Sequence, residues 1–431
     1  MKSNETSKDC RVLMLIENLS FPWDRRMRHE AEALREAGYQ VGVICPKGEG
    51  HDEQWFEEIN GIKIYRYPML VQASGGLAYL AEYSWGFLCT TFLLMLVWMK
   101  DGFDIIHSAN PPDMFFLLAR PFKVLGKKFV YDQHDVCPEL YESKFNRKDW
   151  KHRALLYLEQ GSYRAADLVI STNQSYREIA MTRGGVPEER TVIVRNGVDT
   201  NWFCPRKVRP ELKEKFAYMA LYLGVMGKQD GVDRVVQAAH HLVHTYGRKD
   251  VVFVMVGKGE CWQELQDLSR ELKVDEYMRF LGYVPDDLLL DYLSAADVCL
   301  APDPPDRMNN LSTMTKIMEY MACGQPIVSF DLLETRRSAG EAAVYVAEDN
   351  SLFAGAMNGL LNDPVQREHM RNVGLDRSHR LVGLEYSRRA LVAAYDRLSG
   401  NYAPLPVAPL QEVRTQEVRT EEVAEPLGVD G

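Results

Sequence analysis

Short apolar runs alternate with amphipathic stretches along most of the chain. In the first half, seven runs have the length and bounds of buried strands, at residues 12–16, 41–45, 62–65, 104–107, 129–132, 168–171 and 191–194. Between the first two runs, residues 24–37 place Met27, Ala31 and Leu34 at helical spacing, and Gly38 follows as a helix end requires. This repetition of strand, helix and strand predicts a parallel sheet covered on both faces.

The same pattern begins again after Pro205 and Pro210. Six further strands are predicted at residues 220–223, 251–256, 279–281, 298–301, 326–329 and 344–346. The sequence therefore predicts two doubly wound α/β domains of similar size, with the ligand site in the cleft between them. The predicted division is an acceptor domain over 1–203, a donor domain over 204–383, a helix over 384–401 that returns to the first domain, and a tail over 402–431. The tail carries the near repeat QEVRTQEVRTEEV, which is typical of disorder.

Composition narrows the class of protein. A chain of 431 residues suits two domains, and its formal net charge of -10 argues against a general nucleic-acid-binding protein while permitting a local basic cleft. The eight cysteines are scattered without a CxxC pair, so we expect neither a metal framework nor disulfides, in a reducing cytoplasm.

Residues 85–99 form an uncharged apolar segment, WGFLCTTFLLMLVWM. It is shorter than the ~20 residues that a spanning helix needs. One interpretation is a buried or crossover helix. The other is a helix that rests on a membrane surface, with Trp85 and Trp98 at its ends.

The strongest chemical signal lies in residues 309–326, which read NNLSTMTKIMEYMACGQP. Asn310 or Ser312 is predicted to cap a helix that runs to about Met321, whose first N–H groups could then meet an anion. Lys316 and Glu319 are three residues apart and share a helix face. There an ammonium can pair with a phosphate and a carboxylate can accept two ribose hydroxyls. An ordinary surface ion pair accounts for this spacing equally well.

Several motifs together carry a family resemblance over residues 11–398. The segments are KIMEYMACGQPIV, VRNGVD and MRFLGYVPDDLLLDYLSAADVCLAP in the second half, and FPWDRRMRHEAEALREAGYQV, IIHSANPPD and FVYDQHDVCPELY in the first. They resemble retaining glycosyltransferases with the GT-B fold, of family four, and in the first half the bacterial members that build surface polysaccharides. The resemblance implies transfer of a sugar from a nucleotide-diphosphate sugar to a glycan or lipid-linked saccharide.

By this resemblance, Glu319 holds the nucleotide ribose. The family's other glutamate, eight residues earlier, meets the donor sugar, and here Leu311 stands in its place. The diphosphate-binding arginine and lysine of the family are replaced by Val225 and Asp230. Lys228 lies between them and can supply charge. The resemblance gives the following donor-site candidates: Gly224, Gly227, Lys228, Gly231, Tyr283, Val284, Asn309, Asn310, Ser312, Thr313, Lys316 and Glu319.

Acceptor and catalytic candidates lie in the first half. His134 follows a predicted strand and corresponds to the family's cleft histidine, which lies close to the transferred sugar. A lone histidine after a strand is otherwise often structural. His134, Lys316 and Glu319 are the predicted catalytic group, and the acceptor candidates are Arg25, Arg26, Asp113, Asp135 and Glu139. We expect no cofactor and no metal, and a cytoplasmic protein that can contact the inner face of the membrane.

Other functions stay open at this stage. A sugar-nucleotide epimerase or a phosphorylase can use the same architecture. A dehydrogenase would need a complete GxGxxG after a first strand, and VGKGECW is only a fragment of one. The chain could also be a non-catalytic partner subunit. Leu311, Val225 and Asp230 would then reflect the loss of donor binding.

Overall fold

The computed structural model describes residues 10–48, 52–69 and 76–400. The tail predicted over 402–431 lies outside the described residues. Two parallel sheets organise the described chain, an eight-stranded sheet in the first half and a six-stranded sheet in the second. These sheets, each with helices against its faces, confirm the predicted fold of two doubly wound α/β domains.

The first domain holds its strands in the spatial order 3-4-2-1-5-6-7-8. The strands are β1 Arg11–Leu15, β2 Gln40–Pro46, β3 Phe56–Ile59, β4 Ile62–Tyr67, β5 Ile105–Ala109, β6 Lys128–Gln133, β7 Leu168–Ser171 and β8 Thr191–Ile193. The helices are α1 Arg25–Glu36, α2 Gly76–Lys100, α3 Phe116–Val124, α4 Cys137–Phe145, α5 Trp150–Ala165 and α6 Gln174–Thr182.

The second domain holds its strands in the order 11-10-9-12-13-14. The strands are β9 Tyr218–Leu223, β10 Val251–Val256, β11 Met278–Gly282, β12 Val298–Ala301, β13 Ile327–Phe330 and β14 Ala343–Val346. The helices are α7 Asp233–His240, α8 Trp262–Glu271, α9 Asp286–Ala295, α10 Arg307–Leu311, α11 Thr315–Ala322, α12 Leu333–Ala339, α13 Asn350–Asn362 and α14 Pro364–Arg377. The last helix, α15 Leu384–Leu398, packs against α1 in the first domain, where Tyr39 donates a hydrogen bond to Asp396 at 2.6 Å.

All thirteen predicted strands are present, and one further strand was missed. β3 is an antiparallel edge strand on β4, and its sequence FEEI buries no residue fully. A short edge strand with two glutamates carries little apolar signal, because only one of its edges is paired. The sequence pattern therefore predicts central strands better than this one.

The predicted helix over 310–321 is wrong at its start. The segment forms two helices, α10 and α11, and neither Asn310 nor Ser312 caps the second. Asp306 caps α10 by accepting from the backbone N–H of Asn309, and the Ser312 hydroxyl donates to the Met308 carbonyl. The chain therefore turns between the two helices, and α11 starts at Thr315 without a side-chain cap.

The apolar segment 85–99 belongs to the 25-residue helix α2, which crosses from β4 to β5. Over Ala81–Lys100 this helix is long and apolar enough to cross a membrane by length and composition, and only 22% of the segment is buried. The prediction of a crossover helix is correct, but the helix is mostly not buried. Leu94 and Val97 face the domain core, while Leu88 and Phe92 lie on the surface.

Candidate active site between the two domains

A glycine loop follows β9 at the carboxyl edge of the second sheet. Gly231 has φ +62°, and a Cβ atom there would lie 2.5 Å from the Pro302 carbonyl oxygen, so this position requires glycine. Gly224 also has positive φ, at +152°. Asp230 turns its carboxylate back into the loop, where it accepts from the Gly227 N–H at 3.0 Å. Burial raises the pKa of the Asp230 carboxyl, and the charge of Lys316 opposes this shift.

Lys316 lies next to this loop, on α11. Its Nζ atom is 2.8 and 3.0 Å from the two oxygens of Asp303, which follows β12, and it sits 4.9 Å from the centre of the Tyr222 ring. The side chain of Lys316 is 9% exposed, and that of Asp303 is 2% exposed. The sequence pattern does not predict this partner, since the proline-rich context of Asp303 is typical of an ordinary loop residue. Its position directly after a buried strand was the available signal.

Glu319 lies one turn further along α11. No hydrogen bond or ion pair to its carboxylate is present among the described residues. Burial raises the pKa of this carboxyl to about 7, against the opposing charges of Arg25 and Lys316. Tyr320 anchors the helix beside it, because its hydroxyl accepts from the Leu223 N–H at 2.8 Å and donates to the Leu300 carbonyl at 3.2 Å. A desolvated carboxylate without a protein partner can accept hydrogen bonds from a ligand.

The polar donor-site candidates on either side of Leu311 mostly have protein partners already. Asn309 donates to the Pro304 carbonyl at 2.9 Å, and Asn310 donates to the Asp306 carbonyl at 3.0 Å. Ser312 bonds within its own turn, as described above. Thr313 differs, because its hydroxyl is buried and has no hydrogen-bond partner within the described part of the chain.

Three donor candidates lie on the surface of the second domain. Tyr283 and Lys228 are exposed, and Val284 packs partly against the hydrophobic core. Tyr283 follows β11, whereas Lys228 belongs to the glycine loop after β9. β9 lies next to β12, the strand that precedes the Lys316 helix, whereas β11 lies at the far edge of the sheet beyond β10. Lys228 is therefore nearer than Tyr283 to the Lys316 side of the sheet.

His134 lies at the carboxyl edge of the first sheet, just after β6, and is partly exposed. Its Nε2 atom hydrogen-bonds the carboxylate of Asp132, and its backbone N–H donates to Asn110 Oδ1 at 2.6 Å. Burial by itself raises the pKa of an aspartate, but beside Arg26 and His134 the pKa of Asp132 falls well below its usual range. Asp132 is therefore ionised and orients the His134 ring.

Arg26 and Arg25, both predicted to meet the acceptor, have different surroundings. Arg26 forms two hydrogen bonds with Asp132, at 2.7 and 3.2 Å, and also donates to the Val194 carbonyl at 2.7 Å. All three of its nitrogen atoms have protein partners, so Arg26 has no free donor for an acceptor. Arg25 is exposed, and its charge acts on Glu319 of the other domain.

The carboxylates predicted on the acceptor side also differ. Asp113 is buried and accepts a hydrogen bond from the Asn110 side chain at 2.8 Å, so it stabilises its own loop. Glu139 is buried and accepts from Arg183 at 2.6 Å and from Arg307 of the second domain at 3.1 Å. Asp135 is partly exposed, burial raises the pKa of its carboxyl, and its side chain has no partner among the described residues. Of these three, Asp135 alone offers its carboxylate to a ligand.

Contacts between the domains border the two sheet edges. Besides the Arg307–Glu139 ion pair, Asn173 donates to the Leu311 carbonyl at 2.8 Å, and the Ser175 hydroxyl donates to Glu334 at 2.7 Å. They bring the His134 side and the Lys316 side towards one cleft, across which the charge of Arg25 reaches Glu319.

Comparison with known proteins agrees with this arrangement. Residues 24–202 match the family model described as Glycosyltransferase Family 4, and residues 217–363 match the model described as Glycosyl transferases group 1. Each model matches one of the two domains. With the two Rossmann-like sheets, these matches identify the chain as a glycosyltransferase with the GT-B fold.

The relatives are distant in sequence. An uncharacterised glycosyltransferase of Methanocaldococcus jannaschii is 24% identical over 69% of this chain and 73% of its own length. The D-inositol 3-phosphate glycosyltransferase of Thermomonospora curvata is 28% identical over 55% of this chain and 58% of its own length. Among solved structures, sucrose-phosphate synthase from Thermosynechococcus elongatus gives a TM-score of 0.72 at 18% identity, covering 91% of this chain and 99% of that one.

Two further solved structures share the fold. WaaG, a glycosyltransferase involved in lipopolysaccharide biosynthesis, gives a TM-score of 0.64 at 14% identity, over 90% of this chain and 100% of its own. Anabaena HepE, solved in complex with UDP, gives 0.65 at 15% identity, with the same coverage. At these identities the likeness concerns the fold alone.

Proposed function

We propose that this glycosyltransferase takes its sugar from a nucleotide-diphosphate sugar bound against α11. The observation that carries the proposal is Glu319, a partly buried carboxylate on α11 that has no hydrogen-bond or ion-pair partner among the described residues and whose pKa is raised by burial to about 7. An ionised carboxylate there accepts hydrogen bonds from the two ribose hydroxyls of a nucleotide. Anabaena HepE, which has the same fold, has been solved with UDP.

In the proposed reaction, the bond between the anomeric carbon and the diphosphate breaks while negative charge grows on the diphosphate. Lys316 stabilises this charge, together with Lys228 and the amides of the glycine loop. His134, oriented by Asp132, lies on the opposite side of the cleft, where it meets the transferred sugar. We propose retention of anomeric configuration and no metal requirement.

The acceptor in this proposal is a saccharide or a lipid-linked saccharide of a surface polysaccharide, and Asp135 and Arg25 are the groups free to meet it. The protein reaches a lipid-linked acceptor by resting on the cytoplasmic face of the membrane through α2. Leu88, Phe92 and Met99 of this helix are 63%, 64% and 69% exposed. The end of α3 adjoins this surface, since Trp98 packs on Phe122 with ring centres 5.3 Å apart, and Val124 and Leu125 there are 88% and 57% exposed.

A thermal-shift screen of UDP, GDP, ADP and dTDP sugars tests the donor site. We expect one nucleotide series to raise the melting temperature of the wild type and to leave that of Glu319→Ala unchanged. Equal stabilisation of both proteins would remove Glu319 from the site. Product analysis by mass spectrometry with the selected donor then separates transfer to a saccharide from epimerisation of the donor.

A non-catalytic nucleotide-sugar-binding subunit is the second candidate. It is favoured by Asp230 in place of a cation and by the pairing of Lys316 with Asp303, which neutralises the one buried ammonium near the loop. Such a subunit would bind a nucleotide in calorimetric titration without turning over any donor. Turnover by the purified chain alone would exclude it.

A further inference from the structure

Five polar side chains meet in the core of the first domain, beneath His134. We call them the Asp132 cluster: Arg26 and Glu30 from α1, His107 from β5, Asp132 from β6 and Tyr395 from α15. All five are buried or nearly so. His107 is opposite Val130 in the sheet register, so it shares a face with Asp132, two residues further along β6. The cluster thus joins helix α15 to the edge of the cleft.

Tyr395 determines which nitrogen of His107 carries the proton. Its hydroxyl lies 2.6 Å from His107 Nδ1, and the two rings stack with centres 6.2 Å apart. Burial raises the pKa of Tyr395 well above its usual range and lowers the pKa of His107, so the phenol is protonated and the imidazole is neutral. The phenol therefore donates to Nδ1, and the proton of His107 resides on Nε2.

The Nε2 atom of His107 then points at two carboxyl groups. It lies 3.5 Å from Asp132 Oδ2 and 3.5 Å from Glu30 Oε2, longer than an ordinary hydrogen bond, and it has no hydrogen-bond partner among the described residues. Asp132 Oδ2 is also the atom that bonds His134 Nε2. Both imidazoles thus direct an Nε2–H group at one carboxylate oxygen, which leaves Nδ1 of His134 unprotonated in the neutral ring.

The donor atoms of Glu30, His107 and Asp132 lie within 4.8 Å of one another, a spacing that could also hold a metal ion. Arg26 already supplies the positive charge there. Its Nη2 atom is 2.7 Å from Asp132 Oδ1 and 3.0 Å from Glu30 Oε1. A second cation would be repelled by this guanidinium at short range in a water-free core. The geometry therefore favours a chain of polar contacts, hydrogen-bonded at its two ends, over a metal site.

We propose that Tyr395 and His107 are positioning residues for His134, acting through the carboxylate of Asp132, so that helix α15 sets the tautomer of the cleft histidine. The proposal rests on the proposed function only in its assignment of His134 to the sugar-transfer site. Neither Tyr395 nor His107 contacts the cleft itself.

The test is nuclear magnetic resonance of the full chain labelled with 15N-histidine, in which the ring nitrogen shifts report where each proton resides. His134→Gln and His107→Gln assign the two rings. In the wild type we expect the Nε2–H tautomer for both. In Tyr395→Phe, which keeps the ring but removes the hydroxyl, we expect both imidazoles to become tautomer mixtures. Tyr39→Phe is the matched control, because Tyr39 packs on Tyr395 with ring centres 5.8 Å apart and bonds Asp396 instead of His107.

Unchanged tautomers in Tyr395→Phe would overturn the proposal, and so would the same change in Tyr39→Phe, which would indicate general loosening of α15. A stoichiometric metal ion in the purified protein would also overturn it. With a donor from the screen, we expect Tyr395→Phe to lower kcat about tenfold at unchanged donor KM, the upper end of the effect of one lost neutral hydrogen bond. Absence of any nucleotide binding in the wild type would count against the proposed function, while the tautomer measurement would still decide on the positioning role.

Discussion

The ammonium group of Lys316 lies 2.8 and 3.0 Å from the two carboxylate oxygens of Asp303, and both side chains are almost wholly buried. This pairing satisfies the lysine in the absence of a ligand. A bound diphosphate would have to share the ammonium of Lys316 with Asp303. The ion pair therefore reduces the positive charge that Lys316 presents to the diphosphate. The cost of breaking it is therefore a measurable property of the site.

We expect Lys316→Met to destabilise the fold by about 3 kcal/mol, because Asp303 is left as an unpaired buried charge. The double variant Lys316→Met/Asp303→Leu should recover most of this loss, since it removes both charges. Urea denaturation measures both effects. Nucleotide binding should stay lost in the double variant, which separates the role of Lys316 in binding from its role in stability. A loss below 1 kcal/mol in the single variant would contradict the burial of this pair.

Glu319→Ala should weaken binding of the selected nucleotide sugar by about 2–3 kcal/mol, the scale of hydrogen bonds to a charged group. The pKa of this carboxyl is about 7. Since the ionised form accepts the ribose hydroxyls, wild-type affinity should rise as the pH rises through this value. Glu319→Gln, which stays neutral, should show no such slope. Calorimetry between pH 6 and 8 compares the two proteins, and parallel pH profiles would contradict the assignment.

The same carboxyl predicts a pH effect on stability. Burial raises its folded-state pKa from 4.5 to about 7, so the folded state binds more protons than the unfolded state between these values. The contribution of Glu319 to stability is therefore present at low pH and is lost as the pH rises to about 7. Glu319→Gln should reduce the fall in melting temperature across this window. An identical fall in both proteins would show that other groups cause it.

The ion pair between Arg307 and Glu139 joins the two domains. Substitutions of its two residues should reduce the stability of the fold by different amounts. Arg307 is 59% exposed, so Arg307→Ala should cost under about 1 kcal/mol. Glu139 is buried and also holds Arg183, so Glu139→Gln should cost about 2 kcal/mol, the scale of a lost charged hydrogen bond. Small-angle scattering of Arg307→Ala would show whether the cleft widens. Equal stability losses would refute this ranking.

Membrane contact through α2 predicts that Leu88→Glu/Phe92→Glu will lose flotation with vesicles of phosphatidylglycerol and phosphatidylethanolamine. Both side chains are exposed, so the fold should keep its melting temperature. Val365→Glu is the matched control, because Val365 is an exposed apolar residue of α14 in the other domain. If the double variant and the control float alike, α2 is not the contact surface.

The proposed absence of a metal requirement predicts full turnover in excess chelator, once the screen has supplied a donor. The diphosphate charge would be met by Lys316, Lys228 and loop amides. Loss of turnover with EDTA and its return with Mg²⁺ or Mn²⁺ would contradict this. The carboxylates of Asp303 and Asp230, beside the proposed diphosphate position, would then be the first ligands to test.

The order and kind of the elements could be read from the sequence. Buried parallel strands such as β10, VVFVMV, are continuous apolar runs, and the helices between them repeat at helical spacing. These signals are local, so they hold without any knowledge of the tertiary structure. Glu319 and His134 are candidates through the family resemblance of the short motifs around them, and nothing in their local pattern alone assigns these roles.

The partners of the polar residues were decided only by the tertiary structure. Arg26 resembles an exposed basic residue at a helix start, yet it pairs with Asp132, 106 residues away. Lys316 finds Asp303 on a different loop, and Tyr395 reaches His107 from 288 residues away. Hydrophobic burial acts on each segment by its own pattern, whereas a hydrogen bond needs two atoms brought within about 3 Å by the packing of distant elements. That is why the sequence determined the order and kind of the elements, whereas only the tertiary structure decided which charged side chains already have protein partners.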